Sequence, residues 1–216
     1  MQLYKVLGEG QISHHGGSGK WTKNRWRSVA GEIVPCENGL HLCRRQDLVG
    51  WLGPQIWEVE ADESELVEAN DKVVVRRARI IRKLDTWNER TARLFAADCA
   101  EKVLPIFEKQ NPNDDRPRKA IEAARAFADG KITRAELAAA WDAAWAAAWD
   151  AAWAAAWDAA GVAAWDAAGD AAWDAAWAAA WAAAWAALAP TALALRESAI
   201  GLLDAMIAVG KEEVPA

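Results

Sequence analysis

From Trp141 onward tryptophan returns every fourth residue, at Trp141, Trp145, Trp149, Trp153, Trp157, Trp165, Trp173, Trp177, Trp181 and Trp185, with Gly161 and Gly169 in the two vacant slots. A slower beat of eight overlies this one. Asp142, Asp150, Asp158, Asp166 and Asp174 mark it, so the unit is close to Trp-Asp-Ala-Ala-Trp-Ala-Ala-Ala. Alanine has the best helix propensity of any residue, so the stretch reads as strongly helical. An α-helix turns about 100° per residue, so a step of four carries each indole about 40° past the last, close enough for neighbouring rings to stack. The same drift takes the stripe right round a straight helix in about nine steps. Either the helix breaks or it supercoils right-handedly against a partner. Glycine costs about 1 kcal/mol relative to alanine inside a helix, which makes Gly161 the natural break. Antiparallel helices are therefore expected over about 134–160 and 162–188. A last helix, Thr191–Val209, would follow, with Leu193, Ile200, Leu203 and Ile207 as its apolar stripe and Gly210 as its stop.

Two fates are open to these indoles. They can fill the space that alanine faces leave, each hiding roughly 150–250 Å² as core. Alternatively several stay outside as an interaction surface, since tryptophan is favoured at binding hot spots. Duplication of octads without a selected role is a third account.

Charge narrows the class. The net charge is −6, which gives no whole-molecule attraction to nucleic acid or to anionic membrane. No Lys or Arg occurs from Ala135 to Leu195, while Asp recurs there; basic residues gather at Arg76–Lys83 and Arg116–Lys119. Residues 175–195 are uncharged, but they are mostly alanine with Pro190 inside, so a membrane span is not expected. Cys36, Cys43 and Cys99 form no disulfide framework, and an odd count suits a reducing, cytoplasmic setting. Met1-Gln-Leu-Tyr-Lys5 lacks an apolar signal core.

Ahead of the repeat the chain changes character near Asp85, which suggests a small domain over 1–85, a helical repeat domain over 86–210 and a tail over 211–216. In the first part, Leu3–Leu7 reads as a strand. Gly31–Pro35 and Leu40–Cys43 flank an Asn38-Gly39 turn and read as a hairpin. Gln46–Leu52 reads as a short helix. Ile56–Ala61 alternates, with Trp57, Val59 and Ala61 on one face and Glu58 and Glu60 on the other. Lys72–Leu84 is the longest strand candidate, beyond an acidic connection from Glu60 to Asn70. Four or five strands with one helix would make an antiparallel head. Then come helices over Asn88–Gln110, spaced at Ala92, Phe95, Ala96, Cys99, Val103 and Phe107, and over Arg116–Ala128, stopped by Asp129-Gly130. Thr133 and Glu136 match a capping box that opens the next helix. The fold class expected is α+β: a small antiparallel-sheet head followed by an all-α bundle of about five helices.

Little in this sequence points to catalysis. Cys36, His41 and Cys43 surround the Asn-Gly turn and are zinc-ligating types, but their spacing is not that of a standard zinc site; packing across the hairpin is the plainer role. A Cys–His nucleophilic pair would need an orienting third group that the sequence does not supply. Gly8-Glu-Gly10 and Gly16-Gly-Ser-Gly19-Lys20 resemble phosphate loops without completing one, because Trp21 follows Lys20. Arg76, Arg77, Arg79, Arg82 and Lys83 suit a Glu-paired strand face better than an RNA site. Asp114 to Lys119 suits local ion pairs or an acidic partner. No cofactor is expected.

Two stretches resemble known families. Cys36-Glu-Asn-Gly-Leu-His-Leu-Cys43, Trp57-Glu-Val-Glu-Ala61 and Lys72-Val-Val-Val-Arg-Arg-Ala-Arg-Ile80 resemble a small domain of unknown function found in phage and bacterial proteins, over about 1–84. Cys99-Ala-Glu-Lys-Val-Leu-Pro105 and Asp115-Arg-Pro-Arg-Lys-Ala-Ile-Glu-Ala-Ala-Arg125 look like an immunity-protein-like Ala-rich helical domain, over about 88–209. The second resemblance implies neutralisation of a toxin by binding, and neither supplies a catalytic residue. The leading expectation is a non-enzymatic protein-binding module that uses the tryptophans listed above with Asp142, Asp150 and Asp158. The alternatives are a nucleotide-handling head using the glycine loop with His14, His15 or His41, and homo-oligomerisation through tryptophan stripes. A deep polar pocket joining those histidines would favour the nucleotide-handling enzyme.

Overall fold

The computed structural model describes residues 1–14, 19–147 and 192–208. The chain divides into two compact units, one of Met1–Ala92 with the chain from Ala199 onward and one of Arg93–Ser198. The class is α+β: an N-terminal antiparallel seven-stranded sheet followed by helices.

The sheet is built from β1 (Leu3–Leu7), β2 (Arg27–Ser28), β3 (Leu40–Arg44), β4 (Gln55–Ala61), β5 (Val67–Ala69), β6 (Lys72–Val75) and β7 (Arg77–Lys83), in the order β2-β7-β4-β1-β3-β6-β5. Every ladder is antiparallel. The single long strand expected over Lys72–Leu84 is two strands. They part at Arg76 and lie on opposite sides of β1, so the sheet has to curl for consecutive residues to reach both. Arg76 secures the corner by donating to the carbonyls of Gly31 and Val29 and pairing with Glu65. The acidic connection also holds β5, which forms a tight hairpin with β6 around Asn70-Asp71.

The hairpin expected between Gly31–Pro35 and Leu40–Cys43 does not form. β6 takes one edge of β3 along Leu40–Leu42 and β1 takes the other at Cys43 and Arg44, while 31–35 closes on itself. Val34 instead bridges Asn38 within its own loop, and the Asn38 amide donates to the carbonyls of Ala30 and Glu32. Gly39 still does what a turn glycine is for. Its φ is +146°, and an added Cβ would lie 2.2 Å from Val74 Cγ1. The short helix is a 3-10 turn, Arg45–Gly50, in which Asp47 accepts from the Arg44 backbone and guanidinium.

Alternation in β4 works as its sequence suggests. Trp57 joins Leu3, Leu7, Leu42, Val73, Val75 and Ile80 in one buried cluster, with Val59 and Ala61 packed against it. On the other face Glu58 and Glu60 stand opposite Arg82 and Arg79 and pair with them at 2.6 Å. That other face is not wholly wet, since Tyr4, Val6 and Ile56 are buried there. Helical residues from Ala199 to 208 belong to this unit. Asp204 pairs with Arg45, and the Ile207 carbonyl accepts from Thr86. The stripe buried is Ala199, Leu203 and Ile207, while Leu193, expected inside, is exposed.

The second unit holds most of α1 (Glu89–Gln110), α2 (Arg116–Ala128) and helical residues 134–147. Asn88 caps α1 by accepting from the Thr91 amide at 3.1 Å. Ala97, Leu104 and Ile121 form a small core with Ala100 and Ala124 at its edge. Val103, expected on the buried stripe, faces outward, because the inward line runs through Ala97, Ala100 and Leu104. The capping box is formed: the Thr133 amide donates to Glu136 at 2.7 Å and the Glu136 amide to Thr133 Oγ1 at 3.3 Å.

Candidate functional site

Helical residues 134–147 invert the usual division between large and small side chains. Ala147 is 1% exposed, and Ala140, Ala143 and Ala144, on the same side of the helix, are half-buried. Trp141 and Trp145 are each 62% exposed. Their rings stack with centroids 5.8 Å apart and planes 20° from parallel, as a step of four on a helix requires. Asp142 is exposed beside them. The small side chains face inward at these positions, and the indoles are left with water. At these two positions the tryptophans form surface rather than core. Trp149, Trp153, Trp157, Trp165, Trp173, Trp177, Trp181, Trp185, Asp150 and Asp158 lie outside the described residues.

Ion pairs hold α1 and α2 of this unit together. Arg125 reaches both Asp98 and Glu101 at 2.7 Å, and Arg118 pairs with Glu108 at 2.5 Å. The two carboxylates raise the Arg125 guanidinium above its ordinary range, through hydrogen bonds first and charge second. Arg93 lies over the Phe127 ring at 4.7 Å. Asp114 and Asp115 are engaged locally by Arg116 and Lys119. These charges serve the helix pair, while Val103 and Ile106 of α1 are apolar and exposed.

Cys36, His41 and Cys43 do gather, but not as packing partners across a hairpin. Cys43 faces Tyr4 in the β1–β3 ladder, and Cys36 is exposed in the preceding loop at a φ of 71°. The Cys36 amide donates to His41 Nε2 at 2.9 Å, which occupies the lone pair that a metal or a thiol proton would need. Burial, with the Lys5 and Lys72 ammoniums, lowers the His41 pKa and keeps the ring neutral. Burial pushes the Cys43 thiol up to about 12, so it stays protonated and unreactive. Among the described residues no group of three or more His, Cys, Asp or Glu could hold a metal ion.

These residues and His14 line one cavity of about 580 Å³ in the sheet unit. Its remaining walls include Lys5, Trp21, Arg27, Trp51 and Lys72, none of which the sequence marks as functional. A lysine in an alternating strand reads as solvent-facing, and only the tertiary fold covers it.

Among the described residues no helix is long and apolar enough to cross a membrane. No curated protein and no solved structure matches this chain. A family model described as "Imm-5 like putative immunity protein" matches residues 82–201, more than half the chain, and takes in α1, α2 and the helix that carries Trp141 and Trp145. The chain therefore belongs to this Imm-5 like immunity-protein family.

Proposed function

We propose that the chain neutralises a protein toxin by binding it, and that the indole-bearing face of the helical unit makes the contact. One observation carries this reading: the 134–147 helix turns inward a line of alanines that ends at the buried Ala147, and exposes a stacked Trp141–Trp145 pair with Asp142 alongside. Exposed aromatic surface held rigid by stacking loses little entropy on binding, and tryptophan leads the residues that dominate interface energy. Asp at every eighth position would extend the face with negative charge and suit a basic partner surface, such as the active site of a nuclease. On this reading 1–85 is a head, 86–210 the binding domain and 211–216 a tail; the protein works in the cytoplasm of a bacterium or with a phage.

The test compares the full chain with a Trp141→Ala, Trp145→Ala double variant. Proteins captured from the source cells by the full chain are purified, titrated against both forms and expressed alone to measure toxicity. A toxic partner should emerge whose affinity falls about a hundredfold or more in the variant, while the helical circular dichroism is unchanged. Equal affinity for both forms would defeat the reading. So would light scattering that shows a homo-oligomer dissolved by the double substitution, which would make the indoles a self-association seam.

A further inference from the structure

We propose that the sheet unit is a second binding site, which takes a small phosphorylated ligand in the cavity between β1 and β3 and holds its phosphate with Lys5 and Arg27. The cavity exists because these two strands part. Their ladder runs only through Leu3↔Arg44 and Tyr4↔Cys43, although both strands continue beyond it. Past that point Lys5 spans the gap, and its ammonium donates to the His41 carbonyl at 2.8 Å. A cation placed where a ladder should continue needs a reason, because burying charge without a counterion is costly. Among the described residues no carboxylate pairs with Lys5; its charged or ionisable neighbours include the Cys43 thiol, the Arg27 guanidinium and the His41 ring.

Arg27 enters from β2. Lys5 Nζ lies 5.5 Å and the Arg27 guanidinium 5.4 Å from the centroid of the Trp21 ring. The indole is itself fixed, 2% exposed, with Nε1 donating to Ser13 Oγ at 3.1 Å. Gly19 leaves room for the guanidinium, since a Cβ there would meet Arg27 Nη2 at 2.6 Å. One indole thus holds two cations in place before any ligand arrives, through their attraction to its face. Lys72 adds a third, over Trp51 at 4.8 Å, although Asp71 shares its charge at 3.6 Å. Among the described residues Glu37 is the one carboxylate on the cavity wall. A point-charge ammonium beside a planar donor fork suits the doubly charged, multi-oxygen phosphate group better than a single carboxylate. About 580 Å³ is the volume of a small-metabolite pocket.

The proposal is independent of toxin binding, since it rests on the other unit. In phosphate-free buffer the full chain is titrated with inorganic phosphate, ribose 5-phosphate and AMP, with adenosine and acetate as controls, following the amide resonances of β1 and β3. The phosphate-bearing probes should bind and the controls should not. Lys5→Met and Arg27→Gln should each weaken binding about tenfold or more, Arg27→Lys should recover part of the loss, and the Trp141→Ala, Trp145→Ala variant should bind as the full chain does. Undisturbed amide spectra of the unliganded variants show that the fold is kept. The proposal falls if no phosphate probe binds below about 10 mM, if adenosine binds as well as AMP, or if both charge-removing variants bind undiminished.

Discussion

Replacing Lys5 by Met should stabilise the sheet unit at neutral pH while it removes the cavity's central cation. Burial, opposed by Cys43 and reinforced by Arg27, lowers the Lys5 pKa from 10.5 to about 8. At about 1.4 kcal/mol for each pH unit, holding that ammonium charged in the folded chain costs about 3 kcal/mol at pH 7. Methionine removes the charge and keeps an unbranched chain of similar length. Against this, the His41 carbonyl loses its donor at 2.8 Å, worth about 1 kcal/mol. A net gain of about 2 kcal/mol at pH 7 follows. The pH dependence separates this account from simple repacking. Between pH 8 and 10.5 the unfolded lysine keeps its proton while the folded one has lost it, so wild-type stability rises with pH in that window. Cys43 acts in the opposite sense above pH 9, because its folded thiol stays protonated up to about 12. The informative range is therefore pH 7 to 9, over which wild type should gain about 1 kcal/mol on the variant. Urea unfolding followed through β1 and β4 amide resonances, in phosphate-free buffer, measures the difference. A constant difference from pH 7 to 9, or a variant less stable throughout, would refute the burial argument. A more stable variant that no longer binds phosphate would show stability given up for a ligand site.

Gly39→Ala should destabilise the same unit by roughly 3 kcal/mol, because the new Cβ would lie 2.2 Å from Val74 Cγ1 at a φ unfavourable to alanine. Thermal melts should show that Val74→Ala, made in the same chain, recovers part of the loss; full additivity would contradict the clash. Arg125→Gln should weaken the α1–α2 pair by about 1 kcal/mol at low salt and by less in 1 M NaCl, as expected of a half-exposed bridge to Asp98 and Glu101. Hydrogen exchange at the Leu104 and Ile121 amides reads this directly, and an effect insensitive to salt would mean that packing, not charge, was lost.

Local chemistry made several elements legible. The strands at Leu3–Leu7, Leu40–Arg44 and Gln55–Ala61, the helix Arg116–Ala128 with its Gly130 stop, and the Thr133–Glu136 cap depend on alternation, turn residues and side-chain hydrogen bonds within a few positions. The Glu-paired arginine face was readable for the same reason, as Arg79 and Arg82 need only a neighbouring strand with carboxylates in register. Strand pairing was less legible. An Asn-Gly turn signals a hairpin, but at Leu40–Leu42 the partner of β3 is β6, which lies beyond the turn in sequence, and Val34 bridges Asn38 instead. The break at Arg76 is likewise invisible in a run of Val, Arg and Ile that suits a strand throughout.

By itself the sequence determined that this chain is α+β, that residues 134–147 would be helix, and that Trp141 and Trp145, four apart, would stack, because propensity and periodicity act over single turns. It did not determine which side of the helix faces water. That depends on what lies opposite, and at residues 134–147 the tertiary structure turns the line Ala140, Ala143, Ala144 and Ala147 inward and leaves Trp141 and Trp145 outside. Nor could it place Lys5 and Arg27 over one indole. Only the parting of β1 from β3 and the curl that brings β2 to the sheet's edge put those charges in one cavity, and burial turns an ordinary lysine into a cation without a counterion.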